Sequence, residues 1–341
     1  MTVYKSSVLK DDFHRDTQAF FAGHQVLVSG GGGFVGSHVV EQLLELGASV
    51  RVLSRSSQSP FLSHSRTGID FVQGDLMDEE SARKAVSGVP IVMHLAAEIG
   101  GLTYNMERPA TIFQRNMKMT INILEAARQE KAKRVFLCSS ACVYPRHCAI
   151  PTPEEDGFEG EPEPSNAGYG WAKRMLEFLG IQYHSEFGLS VAMARPYNAY
   201  GPRDEFHPQK SHVIPALIDK AVKAVDESFE VWGDGRASRS FLFVDDFARG
   251  VVEATARADN CDIINLGSDE EISIGDLSQM IARIVGERKR MELVPIFRSD
   301  APTGQPRRKC DIRKAREMLG YETCVGLEEG LARTVDWYLE Q

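Results

Sequence analysis

The possible folds of this chain are limited most by the stretch QVLVSGGGGFVGSHVVEQLLELGASVRVLSRS, at positions 25–56. An apolar run at 26–28 is followed by a glycine cluster and then by apolar residues at helical spacing, including Val39, Leu43 and Leu44. A second apolar run ends at Leu53. This order predicts a β-α-β unit, with the glycines in the turn between the first strand and the helix.

Three of these glycines, Gly30, Gly33 and Gly36, have the spacing GxxGxxG. Glycine permits a tight turn and a close approach of the backbone, while the start of a helix offers free N–H groups and a positive dipole end to a pyrophosphate. Four successive glycines could also form a merely flexible turn. The position between a predicted strand and a predicted helix favours dinucleotide binding.

The alternation of strand and helix patterns continues along the chain. Predicted strands at FVQGDL, IVMHLAA, RVFLCSS and SVAMARP alternate with predicted helices at SARKAVSG, 109–129 and 169–184. This alternation predicts an α/β fold with a Rossmann-type doubly wound parallel sheet, covered by helices on both faces. The pattern loosens after Asn198, which indicates a smaller mixed α/β substrate domain.

We therefore predict three parts. Residues 1–24 form an N-terminal extension, for which an extra helix and a disordered tail fit equally well. The dinucleotide-binding domain comprises residues 25–197 plus about 240–268, and the substrate domain comprises about 198–239 plus 269–341.

Composition excludes several classes of protein. With 341 residues, 43% of them hydrophobic, the chain can bury one large core or two joined cores. No apolar run approaches the roughly 20 residues of a membrane helix, and the polar, acidic start is unlike an export signal, so a cytoplasmic protein is expected. The net charge of −9 argues against a nucleic-acid partner. In a reducing compartment the six cysteines are expected to be free thiols. Their spacing contains no CxxC and no zinc-ligand interval with histidine, so no metal site is expected.

The end of the second predicted strand indicates which dinucleotide is bound. NAD-binding units usually carry an acidic residue there, for the ribose 2′-hydroxyl, whereas this chain has Ser54 and Arg55. A guanidinium beside a hydroxyl suits a 2′-phosphate, so we expect NADP(H) in preference to NAD. The alternative is that Arg55 is only a solvated loop residue. Asp75, after the third strand, is placed to meet the adenine or to cap a helix.

Tyr169 and Lys173 form a YxxxK pattern near the start of a predicted helix, so their side chains share one face. A nearby ammonium and a nicotinamide cation would lower the tyrosine pKa from its usual value of about 10. By itself this pattern is common on any helix.

Together with GxxGxxG, the Ser-Ser end of RVFLCSS and the later NAYGP, this pattern resembles the extended short-chain dehydrogenases/reductases, the NAD-dependent epimerase/dehydratase family, over about residues 24–341. The resemblance implies a nucleotide-sugar substrate and a catalytic triad of Ser140, Tyr169 and Lys173. Ser140 and Tyr169 would polarise a sugar carbonyl, and Lys173 would hold the nicotinamide ribose. The cofactor-binding residues it implies are Gly30, Gly33, Phe34, Val35, Gly36, Ser54, Arg55, Asp75, Leu76, Ala96, Ala97, Tyr169 and Lys173.

Three stretches, AAEIGG, SSACVYP and FHPQKSHVIPAL, narrow the resemblance to the GDP-L-fucose synthases, which act on GDP-4-keto-6-deoxy-D-mannose by 3,5-epimerisation and NADPH-dependent 4-reduction. This resemblance adds Cys142 and His212 as catalytic residues. A C4 ketone acidifies the hydrogens on C3 and C5, and both side chains titrate close enough to neutrality to exchange those protons. The alternatives are a small buried cysteine and a helix-start histidine.

The same resemblance implies residues that bind the GDP-sugar. Trp232 could stack on the base, and Arg239 could pair with the diphosphate. Asn116 matches a family position near the sugar or the cofactor. The remaining substrate-binding residues that it implies are Asn198, Val213, Arg308 and Lys309. Members of the family usually pair through two long helices, so we expect a homodimer joined by a four-helix bundle of residues 109–129 and 167–187.

One difference from the fucose synthases leaves other activities open. Ala141 stands where fucose synthases commonly have serine, and this also resembles GDP-mannose 3,5-epimerase, which holds NAD tightly and performs no net redox reaction. The missing acidic residue after the second strand, and His212 in place of a lysine, argue against that enzyme. A GDP-heptose relative and a nonenzymatic dinucleotide sensor are further alternatives, whereas a GDP-mannose 4,6-dehydratase is disfavoured because no glutamate closely follows Ser140.

Overall fold

The computed structural model describes residues 4–56, 59–62, 67–208, 210–299 and 305–341. Its central sheet is parallel and is formed by β1 (Gln25–Ser29), β2 (Ser49–Ser54), β3 (Ile69–Gln73), β4 (Ile91–His94), β5 (Arg134–Cys138), β6 (Val191–Pro196) and β11 (Asn260–Leu266). The spatial order is β11-β6-β5-β4-β1-β2-β3. From β1 the next strands are added towards one edge of the sheet, and from β4 onward they are added towards the other edge. Open α/β sheets bind their ligands at such a switch point, here between β1 and β4.

Helices cover both faces of this sheet. One face carries α1 (Arg15–Phe21), α2 (Phe34–Glu45), α8 (Val244–Arg257) and α10 (Arg313–Leu319), and the other carries α3 (Glu79–Val86), α5 (Pro109–Gln129) and α6 (Ala167–Phe187). Side chains alternate between the two cores: Val26 and Val28 of β1 pack into the first, and Leu27 packs into the second. The predicted Rossmann-type doubly wound sheet is confirmed. No helix among the described residues has the length and apolar character needed to cross a membrane.

The remaining elements build the smaller mixed α/β part around its own core, which includes Ile218, Leu277 and Leu331. Its elements are β7 (Ala199–Tyr200), α7 (Val213–Lys223), β8 (Ser228–Trp232), β9 (Ser238–Ser240), β10 (Leu242–Phe243), β12 (Glu271–Ser273), α9 (Ile274–Lys289), β13 (Val294–Arg298), β14 (Arg307–Arg308) and α11 (Leu327–Leu339). A short helix, α4 (Leu102–Glu107), precedes α5. The exact domain boundaries stay a prediction.

The N-terminal extension takes the form of an extra helix along its described residues. Phe13 and Phe21 are buried in the core beneath α8. Thr17 Oγ1 donates a hydrogen bond to Glu253 Oε2 at 2.6 Å, and the Tyr4 hydroxyl donates one to a carboxylate oxygen of α8 at 2.9 Å. The segment is therefore packed and hydrogen-bonded onto the Rossmann-type part.

A buried polar network supports the loop that follows β5. Arg195 pairs with Glu177 at 2.7 Å, and Glu177 also accepts a hydrogen bond from Ser139. Arg195 donates to the hydroxyl of Tyr144 at 2.9 Å, and that hydroxyl donates to Asn265 Oδ1 at 2.6 Å. Because buried polar groups in satisfied networks hold a single arrangement, the residues between Ser139 and Tyr144 are fixed from both ends.

Candidate active site

Ser140 lies at the carboxyl end of β5, where the strand gives way to a single 3-10 turn, Ala141–Val143. Its side chain caps this turn, because Ser140 Oγ accepts a hydrogen bond from the backbone N–H of Cys142 at 3.1 Å. Serine is favoured at such a position since its oxygen satisfies a free N–H group at the start of the turn. The cap holds the partly buried Cys142 thiol two residues from the Ser140 hydroxyl.

Tyr169 and Lys173 lie one turn apart on α6 and are 7% and 2% exposed. The Lys173 ammonium lies 5.4 Å from the centre of the Tyr169 ring and donates a hydrogen bond to the Cys138 carbonyl at 2.6 Å. Burial raises the pKa of Tyr169 well above its usual value, the thiols of Cys142 and Cys138 add to the effect, and a hydrogen bond with Ser140 opposes it. The protein alone therefore does not produce the predicted lowering of the tyrosine pKa.

Helix α6, which carries Tyr169 and Lys173, packs closely against the serine turn, the 3-10 turn that Ser140 caps. A Cβ added to Gly170 would lie 2.4 Å from the Cys142 carbonyl oxygen and 2.6 Å from the Cβ of Pro162. Only glycine fits such an approach, so the residue after Tyr169 lets α6 pack closely against the serine turn. The structure thus brings together Ser140, Cys142, Tyr169 and Lys173.

The glycine turn after β1 has the shape that a dinucleotide pyrophosphate needs. Gly30 has a φ of +73°, and a Cβ added to Gly36 would lie only 2.1 Å from the Gly30 carbonyl oxygen. Gly33 is the N-cap of α2 and has no side chain to occupy the first N–H groups of the helix, which starts with Phe34 and Val35. These N–H groups and the helix dipole are available to an anion, so the turn fits the dinucleotide.

The end of β2 holds the residues predicted to choose between NADP(H) and NAD. Ser54 Oγ accepts a hydrogen bond from the backbone of Ser56 at 3.2 Å. Arg55 is exposed, and within the described part of the chain its guanidinium makes no hydrogen bond or ion pair. The cation is therefore accessible to a phosphate from solvent.

Asp75 follows β3, as predicted, and its Oδ1 accepts a hydrogen bond from the Met77 backbone at 2.9 Å. It does not cap a helix: Asp78 is the N-cap of α3 and accepts from Ser81 at 2.9 Å. The neighbouring Leu76 is buried. Asp75 thus shapes the turn at the same sheet edge as the glycine turn.

His94 is a site residue that sequence reasoning missed. It ends β4, is buried, and its Nδ1 lies 2.9 Å from Ser29 Oγ. Burial, together with the charge of Lys173, lowers the pKa of His94 to about 3, so the imidazole is neutral. Ser29 Oγ also accepts from the backbone of Leu95 and Ala96, at 3.2 and 3.3 Å, and so holds the Ala96-Ala97 segment beside the glycine turn. The available signal was a histidine closing an otherwise apolar strand.

His212 is the N-cap of α7, directly before Val213, and its side chain is exposed. The surrounding protein nevertheless lowers the pKa of His212 by desolvation. The imidazole is consequently neutral near pH 7 and can accept a proton.

Two arginines of the smaller mixed α/β part form a cationic pair. Arg239 on β9 lies opposite Arg308 on the parallel neighbour β14. Gln305 joins them: its carbonyl accepts from Arg239, and its side-chain oxygen accepts from Arg308 at 2.8 Å. Burial and the charge of Arg308 lower the pKa of Arg239 to about 10. Two adjacent guanidiniums suit a doubly charged anion such as a diphosphate.

Two residues predicted to bind the substrate, Trp232 and Lys309, contact other residues of the protein. Trp232 is half-exposed at the end of β8, where the Lys220 ammonium lies 5.1 Å from the centre of its ring. Lys309 donates a hydrogen bond to the Asp269 carbonyl at 2.8 Å. Lys309 is thus tied to the loop after β11, while its neighbour Arg308 belongs to the cationic pair.

Two predicted asparagines act on the backbone around the site. Asn198 has a φ of +26°, and its side chain donates to the Ser240 carbonyl at 2.8 Å. Asn116 donates to the Glu98 carbonyl at 2.9 Å and accepts from the Glu98 N–H at 3.0 Å. Asn116 therefore holds the loop after β4 to α5.

Comparison with known proteins agrees with this geometry. Residues 26–267 match the NAD dependent epimerase/dehydratase family. The chain therefore belongs to the NAD dependent epimerase/dehydratase family.

Several individual relatives are similar over nearly the whole chain. GDP-L-fucose synthase of Escherichia coli (strain K12) is 32% identical over 335 residues, which cover 95% of this chain and 97% of that protein. GDP-mannose 3,5-epimerase of Arabidopsis thaliana is 32% identical over 322 residues, which cover 93% of this chain and 82% of that protein. Among solved structures, UDP-glucose 4-epimerase from Thermotoga maritima with UDP-glucose superposes with a TM-score of 0.83 at 27% identity, covering 93% of this chain and 99% of that one.

Proposed function

We propose that this protein is an NADPH-dependent epimerase/reductase that inverts C3 and C5 of a GDP-4-keto-6-deoxyhexose, or of a closely related GDP-heptose, and reduces its C4 ketone. The observation that carries the proposal is the position of Cys142. Its thiol belongs to the turn that Ser140 caps, and its carbonyl lies against the start of α6 beside Tyr169. An acid-base group thus stands next to the hydroxyls that would hold the ketone oxygen.

Epimerisation needs donors to the ketone oxygen and proton exchange at the two neighbouring carbons. Ser140 and Tyr169 would donate hydrogen bonds to O4 and so stabilise the enolate. Cys142 and His212 would exchange protons with C3 and C5 from opposite faces of the sugar. Since the pKa of His212 is lowered by desolvation, it would act first as the proton acceptor and the thiol as the donor.

Reduction of the C4 ketone would depend on Tyr169 and Lys173. When bound at the glycine turn, NADPH supplies the hydride that reduces C4. Tyr169 would give its proton to O4, because burial keeps its hydroxyl protonated. Burial lowers the pKa of Lys173, while its hydrogen bond to the Cys138 carbonyl fixes the ammonium beside the tyrosine ring, where it can hold the nicotinamide ribose.

The test is turnover by the purified protein. Adding GDP-4-keto-6-deoxymannose to protein and NADPH should remove the NADPH absorbance, with one cofactor oxidised per sugar. GDP-mannose should leave the absorbance unchanged. If instead only GDP-mannose is converted and no cofactor is consumed, the proposal fails.

A second candidate is a GDP-mannose 3,5-epimerase with tightly held NAD and no net redox change. It is favoured by the 32% identity with the Arabidopsis enzyme, which equals that with the fucose synthase. Arg55, exposed at the end of β2, supports NADPH instead. A nonenzymatic sensor is disfavoured because the whole proposed catalytic set is present: Ser140, Cys142, Tyr169, Lys173 and His212.

The choice of NADPH rests on Arg55. Arg55→Glu is expected to weaken NADPH binding by about tenfold to a hundredfold, because a charge-assisted contact with the 2′-phosphate is replaced by repulsion. NADH binding should be unchanged or tighter. Fluorescence titration with both cofactors measures this, and Arg51→Gln, on β2 and bound to Asp70, is the control. An equal loss for both cofactors would refute the assignment.

We also propose that the protein forms a homodimer through α5 and α6. Large apolar side chains stay exposed on these two helices, including Phe113, Ile121, Trp171 and Phe178. A second copy placed against this face would complete a four-helix bundle and remove them from water.

Phe178→Glu is therefore expected to produce monomers where the wild-type protein sediments as a dimer. Val225→Glu is the control, because Val225 is an equally apolar residue, 82% exposed, beyond the end of α7. A wild-type monomer, or a Phe178→Glu variant that still dimerises, would contradict the proposed interface.

A further inference from the structure

Glu163 carries a buried carboxylate that the mechanism above does not use. The residue is 3% exposed. Its Oε1 lies 3.4 Å from Ser165 Oγ and 3.6 Å from Arg146 Nη1, while Oε2 has no hydrogen-bond partner among the described residues. An unsatisfied buried carboxylate oxygen is costly, so its retention calls for a partner that the described residues do not supply.

The backbone places Glu163 beside the reacting centre. The preceding Pro162 pairs with Pro145, which follows the serine turn, and its Cβ lies where a side chain on Gly170 would be. The Glu163 carbonyl accepts a hydrogen bond from the Asn166 N–H at 2.9 Å, just before α6 begins. Glu163 is thus held between the two chain segments that supply Cys142 and Tyr169.

Glu163 also interacts electrostatically with the cationic pair. Its negative charge raises the pKa of Arg239 against the larger effects of burial and of Arg308, the residue opposite Arg239. The carboxylate is therefore packed beside the segments that carry the acid-base groups and interacts with the charge of a group that would bind the diphosphate. In a nucleotide sugar, the part that joins those two ends is the hexose ring with its hydroxyls.

Resting on the proposed nucleotide-sugar function, we infer that Glu163 Oε2 accepts a hydrogen bond from a hydroxyl of the hexose ring and is a specificity-determining residue. The ion pair with Arg146 does not replace this role, since it engages only Oε1 and the Arg146 side chain is 45% exposed. A carboxylate poised for a hydroxyl rejects ligands that lack it, because the buried oxygen is then left unpaired.

The test separates binding of the sugar from binding of the nucleotide. Equilibrium affinities of GDP-mannose and GDP are measured for the wild-type protein, Glu163→Gln and the control Glu161→Gln, which removes the same charge from an exposed position two residues earlier. The pair dTDP-glucose and dTDP is measured in parallel, so that the result does not depend on the base. Melting temperatures check that the isosteric variants are folded.

The wild-type protein and Glu161→Gln are expected to bind a sugar nucleotide more tightly than the matching diphosphate. Glu163→Gln should lose about tenfold of that preference while binding the free diphosphate as well as before or better, since a negative charge beside Arg239 is gone. Equal changes for the sugar nucleotide and the diphosphate, or no binding of either pair, would overturn the inference. Failure of NADPH turnover with the keto sugar is a separate result that would refute only the proposed reaction.

Discussion

Tyr169→Phe is expected to lower kcat for reduction of the 4-keto sugar by about 10²- to 10⁴-fold, the usual contribution of a positioned general acid. The ring would still fill its buried position beside Lys173, so NADPH binding and the KM for the sugar should change far less than kcat. What disappears is the proton that the hydroxyl gives to O4. Steady-state rates of NADPH oxidation with the keto sugar measure the effect.

Tyr183→Phe is the matched control, because Tyr183 lies on the same helix and its hydroxyl contacts Glu125 at 3.3 Å, away from the serine turn. This variant should keep wild-type turnover. A Tyr169→Phe enzyme that stays within tenfold of the wild-type rate would mean that another group protonates the alkoxide.

Cys142→Ser and His212→Asn are each expected to slow proton exchange at C3 or C5 by more than about a hundredfold, because each removes one partner in acid-base catalysis. Reduction of the C4 ketone should persist, since Ser140, Tyr169 and Lys173 are unchanged. Exchange is measured as deuterium uptake from heavy water by mass spectrometry, and reduction as NADPH oxidation.

Cys148→Ser is the control for the thiol, because Cys148 lies in the following loop with its sulfur 3.4 Å from Thr152 Oγ1. It should retain both activities. Equal losses of exchange and reduction in the Cys142 or His212 variant would indicate that these side chains support the structure and do not move protons.

The parallel sheet and its helices could be predicted because they extend over many residues with a clear period. The helix predicted at 109–129 is α5 with the same bounds, and the glycine turn follows from its position between β1 and α2. The helix predicted at 169–184 extends further at both ends, as Ala167–Phe187, because helix ends are set by local packing and capping more than by period.

The cationic pair could not be predicted as a contact. Arg239 and Arg308 meet through strands of two and three residues, which are too short to show a period and lie far apart in the chain. Side chains alternate along a strand, so Arg308 can face Arg239 while Lys309 is directed to Asp269. His94 and Glu163 could not be predicted as site residues for a related reason: their burial and their partners depend on elements that are distant in the sequence.

The most direct test of the account is a single reaction of the wild-type protein with NADPH and GDP-4-keto-6-deoxymannose in heavy water, followed by NMR of the product. We predict a reduced GDP-sugar with deuterium at both C3 and C5 and one NADPH consumed per molecule. Consumption of NADPH with no deuterium at either carbon would contradict the account, because Cys142 and His212 would then have no proton-transfer role.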